Sequence, residues 1–192
     1  MSLETIQIER VPGTHRVDAA FFRDVSNAEF LQSQLLGRNA DFEYAFIDAS
    51  SVASRLHLLS AVYHAVNTQL TGTLTTTNVH SEVVLSLSPS NNIAEAYRRW
   101  GITPAKTKDI IVVSPASTLP TPDEIEQRLR EKVQGTPVPL SDEEISKSTD
   151  WPKLRKYYGL NGVPILAAIT DEAVRVKEME RLIIMRMALR GL

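Results

Sequence analysis

Between Glu82 and Ile102 the apolar positions change period within a few residues. Val83, Leu85 and Leu87 alternate with Glu82, Ser86 and Ser88, and Val84 adds apolar character on the other face, which predicts a strand that Pro89 ends. Ile93, Ala96, Tyr97 and Trp100 then fall at i, i+3, i+4 and i+7, one stripe of a short helix. Asn91 or Asn92 supplies the N-cap acceptor, Glu95 stands three residues after Asn92 as in a capping box, and Gly101 is placed to stop the helix in a left-handed conformation. The rest of the chain is expected to be arranged around this strand, tight loop and helix.

Upstream, Thr5 to Arg10 and Arg16 to Phe22 predict two short strands about a turn at Pro12 and Gly13. Ser26 and Glu29 have capping-box spacing, and Val25 with Phe30 that of a hydrophobic staple. They predict a helix from Asn27 to Leu36, ended at Gly37, with Ala28, Leu31 and Leu35 inward. Tyr44 to Ile47 reads as an inner strand, and Asp48 or Ser50 as the cap of a helix from Ser51 to Leu70. On that helix Val52, Leu56, Leu59, Tyr63, Val66 and Leu70 form a continuous seam, widened by Leu58, Val62 and Ala65. Such a helix is covered on two sides, either by core and sheet or by core and a partner. The threonines from Thr71 to Thr77 favour extended backbone leading into the central strand.

Downstream, Asp109 to Ser114 predicts a buried strand. Thr121, Pro122 and Glu124 mark a helix with Ile125, Leu129 and Val133 on one face, ended by Gly135. Val138 adds a brief edge strand between two prolines, Ser141 and Glu144 repeat the capping box with Leu140 and Ile145 as staple, and Asp150 to Tyr158 predicts another short helix. Ile165 to Leu189 is apolar and methionine-rich, a helix against the body in which Met179, Met185 and Met187 serve as core fillers or as adaptable partner contacts. Together these elements describe an α+β fold with a small mixed or antiparallel sheet covered by helices.

With 192 residues, 43% of them apolar, the chain can build one sizeable core, and hydropathy offers no place to divide it, so a single domain over residues 1–192 is expected. A formal net charge of -2 and a pI near 6.1 exclude the broad positive field of a general nucleic-acid binder, so any RNA contact is local. Arg98 and Arg99, with Lys106 and Lys108 just beyond, form the candidate patch; an ordinary solvated helix end is the alternative. Lys153, Arg155 and Lys156 read as plain surface. Cysteine is absent, which excludes disulfides and thiolate metal sites. No apolar run reaches the ~18 residues of a membrane span, and Met1 to Arg10 holds no apolar leader, so a soluble intracellular protein without membrane contact is expected.

Signs of catalysis are missing. There is no G-x-S-x-G, G-x-x-x-x-G-K-[ST], H-E-x-x-H or G-x-G-x-x-G. His57 and His64 share a helix face two turns apart, too far to hold one metal. His80, Ser81 and Asp48 have the right chemistry for hydrolysis but no orienting context. No cofactor is expected. An enzyme would have to position its substrate with Asn91 and Asn92 in the loop from Ser88 to Asn92, and helix capping accounts for the same residues.

The run SEVVLSLSPSNNIAEAYRRWGI, Ser81 to Ile102, resembles the signature of the small kinase-binding subunits of the KEOPS (EKC) complex, also called the PRPK-binding proteins. Weaker similarity runs through RDVSNA at Arg23 to Ala28, FID at Phe46 to Asp48, AVYHAV at Ala61 to Val66 and the closing LRGL. The resemblance implies a non-catalytic subunit, of nucleus and cytoplasm, that binds the N-terminal lobe of the complex's atypical kinase and supports its activity. It also implies help in presenting tRNA for threonylcarbamoyl-adenosine formation. By the resemblance the closing residues Arg186, Leu189, Arg190, Gly191 and Leu192 are candidates for the kinase interface; an apolar patch that adds Leu182, Ile183 and part of the Ser51 to Leu70 helix is expected to dock there, and a second surface near Arg98 and Arg99 to contact tRNA. Members commonly carry basic residues where this chain has Thr73, Thr75 and Thr77. A free-standing tRNA-binding protein is the competing reading.

Overall fold

Among the described residues five short strands form one antiparallel sheet: β1 (Glu4–Ile6), β2 (Arg16–Arg23), β3 (Ala45–Asp48), β4 (Ile110–Ala116) and β5 (Thr136–Val138). The computed structural model describes residues 3–9, 11–12, 15–104, 106–116 and 120–190. The sheet order is β1-β2-β4-β3, and β5 also pairs with β2, at Phe21 to Arg23, beyond the stretch from Val17 to Ala19 that β1 occupies. Strand alternation divides the apolar side chains between two cores. Val17, Ala19, Phe21, Ala45, Ile47, Ile111 and Val113 face one, whereas Ala20, Phe22, Phe46, Ile110 and Val112 face the other.

The helices are α1 (Ala28–Leu36), α2 (Arg55–Leu70), α3 (Val79–Ser86), α4 (Ile93–Trp100), α5 (Pro122–Lys132), α6 (Asp142–Ser148), α7 (Trp151–Tyr157), α8 (Pro164–Ala168) and α9 (Glu172–Ala188). Residues of α1 and α5 close the smaller core, and the other helices build the larger one. The fold is α+β, with a helical layer on each face of the sheet.

Several starts were legible because a cap acts within one turn. Thr121 and Glu124 exchange both bonds of a capping box, and Ser141, Asp150 and Asn92 cap α6, α7 and α4. The central expectation is overturned: the stretch taken as a strand, Glu82 to Ser88, belongs mostly to helix α3, capped by Asn78, whose Oδ1 accepts from the Ser81 amide at 2.8 Å. Val83, Val84, Leu85 and Leu87 are all buried, and so is Glu82, so α3 has scarcely a polar face and alternation could not distinguish it from a strand.

Other boundaries shift for local reasons. The residues from Thr71 to Asn78, expected as extended backbone leading into a strand, form a turn followed by bends. Helix α2 starts at Arg55 under Ser54, because Asp48 caps a 3-10 turn at Ala49–Ser51 instead. Ser26 and Glu29 form no box. Asn27 precedes α1 without a side-chain cap and ties the chain to residues 132 and 134, while Phe30 is 47% exposed and meets Phe42 edge-on at 5.6 Å. Gly101 is extended, with φ -72, not left-handed; a Cβ there would lie 2.6 Å from the Tyr97 carbonyl oxygen, which is what requires glycine. The C-terminal stretch is divided into α8 and α9, with Asp171 capping the second.

Candidate partner-docking site

Helices α2 and α9 lie side by side, parallel and in step. The Ser54 hydroxyl donates to the Glu180 carboxylate, and Arg190 Nη2 donates to His64 Nδ1 at 3.2 Å; in both cases the partners are 126 positions apart. Equal offsets at the two ends fix direction and register. Inward, Leu58, Ala61, Val62, Ala65 and Val66 of α2 and Met179, Ile183 and Met187 of α9 enter the larger core. Outward, Leu56 is 58%, Tyr63 41%, Met185 45% and Leu189 54% exposed. The expected seam on α2 is therefore split: Val66 faces the core, Leu59 is half-buried, and Leu56, Tyr63 and Leu70 face water.

The residues expected at a kinase interface take different places. Leu189 and Arg186 are exposed, Leu182 is half-buried, and Ile183 is fully buried in the core, so its side chain is not part of the outer surface. Arg190 is half-buried and turns inward, donating to the Leu85 carbonyl at 2.5 Å. Gly191 and Leu192 lie outside the described residues. Met185, Leu56 and Tyr63 join the apolar surface. Leu56 and Tyr63 belong to the expected seam of α2 and Met185 to the methionines of α9, positions that sequence assigns to core or to a partner contact.

The expected basic patch is also divided. Arg99 is spent internally: it pairs with Glu95 at 2.5 Å, donates to the Tyr157 carbonyl at 3.3 Å and stacks over the Tyr157 ring. Arg98 is free to reach out, its side chain 75% exposed and 3.9 Å from Glu95. Lys106 and Lys108 are exposed as well. Arg98 stands at the wall of a cleft of about 910 Å³ between α1, residues 38–44, the start of α3 and α4. Phe42, Tyr44, Tyr97, His80 and Arg38 line it as well. The buried His80 Nδ1 has no hydrogen-bond partner, and burial holds this imidazole below its ordinary pKa, partly offset by Glu43 and a bond to the Val113 backbone. Sequence reading missed this cleft, because a strand at residues 82–88 would not bring His80 and Ser81 beside Tyr97.

Comparison with known proteins decides the family. The model of the kinase binding protein CGI-121 family matches residues 22–191. The chain belongs to the CGI-121 family. It is 56% identical to the EKC/KEOPS complex subunit cgi121 of Neurospora crassa and 54% identical to the corresponding subunit of Gibberella zeae, in each case over the whole of both chains. The Schizosaccharomyces pombe subunit is 36% identical across 76% of this chain and 83% of its own.

In this CGI-121 chain the side chains considered for hydrolysis do not converge. Ser81 Oγ accepts from the Tyr97 hydroxyl at 2.8 Å, while Asp48 pairs with Lys153 at 2.8 Å and with Ser50. Lys153, read as plain surface, is thus an internal link between the 3-10 turn and α7. Among the described residues no group of three or more His, Cys, Asp or Glu is placed to hold a metal, and no helix is long and apolar enough to cross a membrane.

Proposed function

We propose that this chain is a non-catalytic subunit of the EKC/KEOPS complex that docks on the N-terminal lobe of the complex's kinase through the outward face of α2 and α9. One observation carries the reading: in a family of kinase-binding proteins, two helices in register expose Leu56, Tyr63, Met185 and Leu189 on their solvent side. Burial of such anchors supplies affinity, and the rim of Arg181, Arg186 and Glu178 supplies orientation. Docking supports the kinase to the extent that it favours the lobe's nucleotide-competent state over its alternatives.

The cleft beside Arg98 is the surface for tRNA in this reading. Aromatic walls accept unpaired bases, and Arg98 and Arg38 meet phosphates, whereas the threonines at 73, 75 and 77 offer no charge. The contact is local, in keeping with a net charge of -2. The chain then works within the assembly and not as a free-standing RNA binder.

Copurification tests both surfaces. Leu189→Asp should lose the kinase while remaining folded, and Ile183→Asp should unfold, because only the second residue is in the core. Arg98→Glu should keep the kinase and lower tRNA retention by the assembled complex. A Leu189→Asp chain that still carries the kinase overturns the docking face, and unchanged tRNA retention removes the cleft.

A further inference from the structure

Arg190, expected on the docking surface, spends its guanidinium inside the molecule. Nη1 donates to the Leu85 carbonyl at 2.5 Å, in the last turn of α3, where a cation also meets the negative end of that helix. Nη2 donates to His64 Nδ1 on α2, and the Ser86 hydroxyl lies 3.2 Å from the same nitrogen. One side chain just past the end of α9 thus grips both neighbouring helices.

A buried counter-charge lies behind this grip. Glu82 is fully buried; its Oε2 accepts from the Thr75 and Thr76 amides at 3.0 and 2.8 Å and from the Thr76 hydroxyl at 2.8 Å, while Oε1 has no partner. The carboxylate draws on Arg190, whose own pKa is lowered by burial and sustained by Glu82. It therefore steadies both the turn after α2 and the cation at the end of α9.

We propose that Arg190 is a positioning residue for partner docking: clamped between Leu85, His64 and the Glu82 charge, it holds the last α9 turn on α3 and so sets the stance of Leu189 and Met185. The inference rests on the docking reading above. His64 makes the clamp sensitive to acid. The charged groups facing its ring are Arg190 from α9 and Glu82 from α3, and burial first, then Arg190, lowers its pKa below 6.5 against the raising effect of Glu82. The neutral ring accepts from Arg190; a proton on Nδ1 would turn that acceptor into a donor facing a cation.

The test joins amide exchange in the full chain alone with titration of the complex's kinase. Arg190→Ala should speed exchange at residues 187–190, leave β2 and β4 amides unchanged, and weaken kinase binding about tenfold. Arg190→Lys keeps a donor for the Leu85 carbonyl and should restore most of the affinity. Kinase affinity of the unaltered chain should fall as pH drops through the lowered pKa of His64, and His64→Asn, which keeps an acceptor near the place of Nδ1 without titrating, should flatten that fall. That comparison leaves Arg190 in place, so it reads the link even if Arg190→Ala does not fold. Unchanged exchange in Arg190→Ala overturns the clamp, and faster exchange with unchanged affinity overturns its role in docking. An unaltered chain that binds no kinase overturns the docking reading itself, and this inference with it.

Discussion

His57 shows how far a single side chain can be set by its surroundings. The Ala53 amide donates to Nδ1 at 3.0 Å, so the proton sits on Nε2, which meets the Tyr158 hydroxyl at 2.8 Å, and that hydroxyl donates to the Leu87 carbonyl. Burial lowers the His57 pKa from 6.5 to about 3. The folded form therefore stays neutral while the unfolded chain takes up a proton. Stability is fully present above pH 6.5 and is lost as pH falls towards 3, at up to about 1.4 kcal/mol per pH unit. His64 and His80 are lowered as well and act in the same direction. Denaturant unfolding at pH 7 and pH 5 should show the drop, and equal stabilities would contradict it. At neutral pH, Tyr158→Phe should cost ~1–3 kcal/mol, since the Leu87 carbonyl and the imidazole N–H are then buried unpaired. Nothing in the sequence marks this role: His57 shares its helix face with His64, yet one is in the core and the other at the edge.

At the scale of elements, legibility followed the range of the deciding interaction. Thr121, Ser141, Asp150 and Asn92 each accept from an amide three residues on, a bond contained in the sequence around them. For α3 the decision was tertiary: it packs against α2, α4 and the strands β3 and β4, which bury Val83, Val84 and Leu85 together and remove the polar face that periodicity needs. A cap signal was nevertheless present in Asn78 and Ser81. Asn78→Ala should lower stability by about 1 kcal/mol, read from the denaturant midpoint, as loss of an N-cap does; no change would mean that packing alone fixes the start of α3. Helix α2 failed differently. With apolar residues over more than half of its circumference, its seam and the positions that widen it were both consistent with core, and only the packing against the core and the parallel neighbour α9 shows that Leu56, Tyr63 and Leu70 remain uncovered.

At the scale of the whole molecule, the sheet holds two helical layers at fixed positions and thereby separates two surfaces. One is the outward face of α2 and α9; the other is the cleft between α1, the start of α3 and α4. The family resemblance in Ser81 to Ile102 pointed to a binding protein, although most of those residues serve the interior: Glu82 steadies a turn, Ser88 and Ser90 order the loop, and Arg99 is paired with Glu95. The motif is therefore chiefly scaffold: Tyr97 and Arg98 from it line the cleft, whereas the outward face of α2 and α9 is assembled from elements distant from it in sequence. Amide exchange of the full chain with and without the kinase tests this account most directly. Protection should appear at residues 56–70 and 182–190 and leave residues 38–44 and 97–103 unchanged; protection centred on the cleft, with the α9 amides unaffected, would contradict it.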